Sequence, residues 1–140
     1  MRYELADKVT FYQTVTAITY RADDIREAIE FGCTDIKDCY DKAKHKFAKY
    51  FIVYDDLNMP IVTVMLQRDG HILFFISDTV INPIALIRVL KQLALRVTGT
   101  CGAIITKTAY WYTEAQRLNR LIGFRDMTLY DYYGLYVLGE

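Results

Sequence analysis

The sequence predicts an α/β (α+β) domain with a mixed, mostly antiparallel sheet flanked by helices. Three observations carry this. Apolar residues make up 53% of the chain and charged residues 24%, the balance of a folded globular domain. The hydrophobic period switches back and forth between that of a strand and that of a helix, with Asp, Asn and Gly clusters at the switches. The 140 residues contain no repeat, low-complexity tract or linker, so one domain spanning 1–140 is expected.

Phe11 to Tyr20 reads as the first strand, a β-branched and aromatic run in which Val15 and Ala17 alternate with Thr16 and Ile18. Asp23 or Asp24 then caps a helix with Ile25, Ala28, Ile29 and Phe31 at helical spacing, and Gly32 ends it. Thr34 or Asp35 opens a second helix through Ile36, Cys39, Tyr40, Ala43 and Phe47, its last turns rich in lysine. Tyr50 to Tyr54, Pro60 to Gln67 and His71 to Ser77, joined by turns at Asp55 to Asn58 and Arg68 to Gly70, predict an antiparallel meander. Its third strand is apolar from Ile72 to Ile76, which predicts a central strand covered on both faces.

Asn82 and Pro83 form a strong helix start, cap followed by a residue preset for the first turn; the helix runs to about Gly99. Ala103 to Thr108 reads as a strand, Tyr112 to Ile122 as the last helix, and Met127 to Leu138 as a pair of strands or one bent strand with Gly134 at a bulge or turn.

Seventeen basic and 17 acidic residues cancel, so no overall basic field recruits nucleic acid or an anionic membrane. The longest apolar candidate, Val80 to Leu95, is interrupted by Asn82, Pro83, Arg88, Lys91 and Gln92, so no membrane span is expected. The opening MRYELADKVT carries no apolar run, which excludes a signal peptide there, and Cys33, Cys39 and Cys101 lack metal-ligand spacing and fit free thiols in a reducing compartment. The expectation is a soluble, intracellular protein.

The element order, and Ala115, Leu118, Gly123 and Phe124 at their spacing in the last helix, resemble the GCN5-related N-acetyltransferase (GNAT) family. The segment ITYRADDIREAIEFGCT and the strand end FFISDTV resemble acetyltransferase-like proteins of tailed bacteriophages, a group that includes internal virion proteins of podophages. The resemblance implies a GNAT-like fold, acetyl-CoA as the coenzyme if the protein is active, and, for the phage group, other virion or assembly proteins as partners, with residence in the virion and in the host cytoplasm before assembly.

The departures from the family pattern bear on chemistry. The family binds the coenzyme pyrophosphate on backbone amides of a glycine-rich turn opening the helix after the fourth strand, because a side chain would block the approach. Here the segment is SDTVINPIALIR, without glycine or a preceding Arg or Gln, with Asp78 nearby and with Pro83 removing an amide. The family's general-acid tyrosine is replaced by Asn119, and the motif's leading Asn by Tyr112. No catalytic residue, cofactor or metal site is therefore assigned. In an active enzyme Asn82, Ile84, Ala85 and Tyr112 would hold the coenzyme, with Tyr110 or Tyr112 as the available phenols.

Other residues read as structural. His45 among lysines suits a helix end, His71 a strand end, Cys101 a buried thiol and Glu114 a first-turn acid. The lysines of KDCYDKAKHKFAK read as a solvated helix face. Tyr130, Tyr132, Tyr133 and Tyr136 are candidates for a protein interface, with core packing the open alternative.

Overall fold

A computed structural model describes residues 1–43, 48–80, 82–129 and 133–139. The chain begins with β1 (Arg2–Ala6) and α1 (Lys8–Ala17), followed by α2 (Ala22–Glu30) and α3 (Ile36–Lys42). The meander is β2 (Lys49–Tyr54), β3 (Pro60–Leu66) and β4 (Ile72–Ile76). Then come α4 (Pro83–Cys101), β5 (Ala103–Ala109), α5 (Thr113–Ile122), β6 (Arg125–Leu129) and β7 (Tyr133–Gly139). The strands form two antiparallel sheets, ordered β1-β2-β3-β4 and β5-β7-β6.

The expected strand over Phe11 to Tyr20 is helix as far as Ala17, with Tyr20 making one antiparallel bridge to Ser77, and the first strand lies earlier. Asp7 caps α1 by accepting the Thr10 amide at 2.7 Å. Phe11 and Val15, four residues apart, share its buried face. The threonine hydroxyls that suggested a strand bond back along the helix, Thr14 to the Thr10 carbonyl at 2.9 Å and Thr16 to that of Tyr12 at 3.0 Å. Tertiary burial of Phe11 outweighs β propensity here.

The N-cap of α2 is Arg21, with no side-chain cap; Asp23 and Asp24 sit in the first turn, and Asp24 is buried. Asp35 caps α3 by accepting the Asp38 amide at 2.7 Å, as expected. The remainder of the expected second helix, including His45 and Phe47, lies outside the described residues. α4 overruns Gly99 and stops where Gly102 takes a positive φ of 88°. Gly134 is paired within β7, and the register shift lies between Asp126 and Thr128.

Alternation along the meander feeds two cores. Phe51, Val53, Val62 and Val64 pack on one face with Leu86, Leu90, Leu93 and Val97 of α4. Ile52, Met65 and Phe75 pack on the other with Phe11 of α1 and Tyr40 of α3. α5 seats Leu118 and Ile122, followed by Phe124, in the first of these cores.

β4 is not central. It is the last strand of its sheet, because the parallel neighbour β5 meets it at a single bridge, His71 opposite Ile105. Its apolar run reflects cover on both faces rather than pairing on both edges.

Gly70 makes that meeting point possible. Its φ is +91°, its carbonyl accepts the Ile105 amide at 2.9 Å, and a Cβ there would stand 2.8 Å from the Ala103 carbonyl oxygen. Gly70→Ala should cost about 2 kcal/mol or more, since an unfavourable φ and a backbone clash add. Urea unfolding of the variant measures this.

Candidate functional site

Beyond the bridge, the described residues of β4 and β5 make no further backbone pairing, and a wedge is left between them. Residues of α2 close it. Asp24, only 3% exposed, accepts the Ile76 amide at the end of β4 at 2.7 Å. Its other oxygen accepts from Arg21 Nη2 at 3.0 Å and from the Tyr112 phenol, which stands just past β5. The Arg21 amide donates to the Ile76 carbonyl at 3.0 Å. On the opposite wall, Glu27 accepts the Ala109 amide at the end of β5 at 2.9 Å. Side chains from one helix thus cap backbone groups on both strands.

Two titrating groups register this environment. Burial pushes the Glu27 carboxyl up to about 7, with Asp24 adding to the rise and the Ala109 amide, Lys107 and Arg21 opposing it. Burial, then the Asp24 carboxylate, drives the Tyr112 phenol upward, so it stays a hydrogen-bond donor at neutral pH.

The outer side of α2 is clamped as well. The Arg26 guanidinium lies 3.9 Å over the Trp111 ring, and Trp111 Nε1 donates to Glu30. Trp111 stacks on Tyr112 at 5.1 Å with 7° between planes.

At the start of α4, Asn82 Oδ1 accepts the Ala85 amide at 3.1 Å. Pro83 has no amide, and the Ile84 side chain is 69% exposed on the same turn. Of the first-turn amides after the cap, Ile84 alone is left to face a ligand. Asn119 is 1% exposed and donates from Nδ2 to Thr108 Oγ1 at 2.8 Å, pinning α5 to β5.

The remaining candidates are scattered. Tyr136 is 2% exposed in the core, where packing against α4 and α5 buries it, so it is no surface contact. Tyr133 is half-buried, edge-on to Phe31 at 5.7 Å with Lys107 over both rings; Tyr130 and Tyr132 lie outside the described residues. Cys101 is exposed rather than buried, its thiol donating to the Val97 carbonyl at 3.2 Å, because the helix end it occupies faces outward. His71 lies 3.2 Å from the Asp69 carboxylate and borders a cleft of about 340 Å³ that runs beside Lys107 and Tyr133. Glu114 is an exposed first-turn acid, and Tyr110 lies in the turn after β5 at the surface. Of the lysine-rich segment, Lys37 and Lys42 pair with Asp41 and Asp38 along α3. No group of three or more His, Cys, Asp or Glu among the described residues could hold a metal ion, and no helix among them is long and apolar enough to cross a membrane.

The Asp24 and Glu27 pair escaped the sequence reading because an acid after YRA looks like a cap. The available signal was the spacing of Arg21, Asp24 and Glu27, three residues apart and on the same side of the helix as the buried Ala28.

No family model matches this chain, and no curated protein matches it in sequence. Solved structures do match. Spermidine N-acetyltransferase from Vibrio cholerae, in complex with CoA and spermine, superposes with a TM-score of 0.69 at 10% identity over 98% of this chain and 94% of its own. The GNAT domain of S. lividans PAT gives 0.70 at 10% identity, covering 99% and 89%. A GNAT superfamily phosphinothricin acetyltransferase from Sinorhizobium meliloti, in complex with AcCoA, gives 0.68 at 13% identity, covering 99% and 89%. The chain has the GNAT acetyltransferase fold.

Two of those neighbours hold a coenzyme. In this chain the start of α4 has few amides left for one, and two amides on the walls of the wedge are already taken. An anion at a helix start needs free amides, and α4 offers Ile84 alone beside an exposed apolar side chain. A chain entering the wedge needs the free edges of β4 and β5, and Asp24 and Glu27 already hold the Ile76 and Ala109 amides.

Proposed function

We propose that this chain uses the acetyltransferase fold for binding rather than for acetyl transfer, and that it serves a bacteriophage as a virion-associated or assembly protein through protein contacts. The observation that carries the non-catalytic part is the start of α4, where Pro83 and the Asn82 cap leave one first-turn amide for a pyrophosphate. Burial of Asn119 at the family's general-acid position supports it. The phage assignment rests on the resemblance of the ITYRADDIREAIEFGCT and FFISDTV segments. Mass spectrometry of purified particles tests it: the protein is expected at stoichiometric abundance, and its absence from particles alongside presence in infected-cell lysate overturns the virion role.

A second reading is a divergent N-acetyltransferase that moves acetyl from acetyl-CoA to an amine. The solved neighbours, acetyltransferases by name, support this reading more than a virion role, on which they carry nothing. Glu27 adds to it, since a carboxyl held near 7 suits a general base for an amine. The two readings part on turnover. Thiol release from acetyl-CoA over a panel of polyamines, amino acids and lysine peptides is expected to stay at the amine-free background; amine-dependent release overturns the non-catalytic reading.

A further inference from the structure

We propose that the outer edge of β1 is a self-pairing surface, on which a second copy of this chain lays its own β1 antiparallel and joins two four-stranded sheets into one. The inference goes beyond the question of acetyl transfer and stands on either answer to it. β1 pairs with β2 over all five of its residues without a register shift, and no strand among the described residues lies on its other side. No turn, loop or cap hydrogen bond reaches the backbone of Arg2 to Ala6. Solitary edges are commonly blunted by lysines, a proline or a bulge, and β1 has none of the three. Its two charges are of opposite sign.

Those charges select both the occupant and the register. Arg2 and Glu4 share one face of the strand, opposite Tyr54 and Ile52 of β2, and both side chains are about half exposed. Within the chain they meet at 3.1 Å, and Arg2 is held in place by Asn58 Oδ1 at 2.6 Å and by the Tyr54 ring at 4.7 Å. A two-fold axis at Tyr3 sets Arg2 opposite Glu4 of the second copy and Glu4 opposite its Arg2, so four charges of alternating sign ring the axis. Sliding the register by two residues, the smallest shift that keeps each side chain on its face, sets Glu4 against Glu4 in one direction and Arg2 against Arg2 in the other. One register is therefore favoured over its neighbours. On the α4 side, Tyr3 stands edge-on to Phe51 at 6.4 Å, and Leu5, on the same face, is 62% exposed. The favoured register lays Leu5 beside Met1 of the second copy, a residue that already packs on the α4 core. A second β1 thus answers both charges and covers the exposed leucine at once.

Sedimentation of the full chain across the micromolar range tests this. The wild type is expected to pass from monomer to dimer and no further, because a closed two-fold leaves no free β1. Arg2→Glu and Glu4→Arg each set two like-charge pairs across the axis and should weaken the dimer about tenfold or more, with circular dichroism unchanged. Mixing the two variants should recover a heterodimer, since each then meets the opposite sign at both positions. The double exchange Arg2→Glu with Glu4→Arg, which restores alternation within one chain, should dimerise as the wild type does. A wild type that stays monomeric, growth beyond the dimer through another edge such as β6, single variants that dimerise normally, or a mixture that stays monomeric would each overturn the proposal. None of these outcomes bears on whether acetyl-CoA binds.

Discussion

Glu27→Gln should stabilise the fold by about 2–3 kcal/mol at pH 8 and by almost nothing at pH 4. In the folded protein burial holds this carboxyl at about 7, against 4.5 for an exposed glutamate. Between those values the folded state binds a proton that the unfolded chain has released. Glu27 therefore favours folding fully below about pH 4.5, and that contribution is lost as the pH rises through 7. Above 7 the protein carries a carboxylate half-hidden beside Asp24, with the Ala109 amide, Lys107 and Arg21 offsetting part of the cost. Glutamine keeps an oxygen for the Ala109 amide and never ionises. Chemical denaturation of both proteins from pH 4 to pH 8 measures the divergence. Parallel curves across the range would mean that Glu27 titrates as an exposed residue, contrary to its position in the wedge.

Asp24→Ala should be more damaging still, costing about 3–5 kcal/mol. The carboxylate is buried and serves three donors at once: the Ile76 amide, the Arg21 guanidinium and the Tyr112 phenol. Alanine leaves all three facing a cavity, one of them a charge. Asp24→Asn keeps the shape and an acceptor oxygen but turns an N–H₂ towards donors, so its loss should be smaller yet clear. The effect should also be local at first: exchange of the Ile76 amide rises, and the stack of Trp111 on Tyr112 loosens, which near-ultraviolet circular dichroism would detect. A loss below about 1 kcal/mol for Asp24→Ala, as for a surface ion pair, would contradict its assigned role.

Much of the fold could be read from local chemistry. Asp35, Asn82 and Gly123 each cap or stop a helix with groups within a few residues, so the starts of α3 and α4 and the end of α5 stood where the sequence placed them. The meander was legible because alternate residues of β2 and β3 feed opposite cores. α1 was not, since its strand-like threonines are held helical by the burial of Phe11 and Val15 against distant strands. The edge position of β4 was equally hidden. An apolar run reports covered faces and says nothing about which backbone edge lacks a neighbour.

The candidate site divides the same way. The altered start of α4 was visible, because the loss of glycine and the gain of Pro83 act on amides one or two residues away. The wedge contacts join residues 52 to 88 positions apart, Asp24 with Ile76, Glu27 with Ala109 and Tyr112 with Asp24. Only the folded chain brings them together. For Tyr136 composition left interface and core packing both open, and the fold buries it.

The central claim is that this acetyltransferase fold does not accept the coenzyme, and calorimetric titration of the purified full chain with acetyl-CoA tests it most directly. The account predicts no saturable heat at concentrations up to the millimolar range. Saturable binding with a micromolar Kd would contradict it.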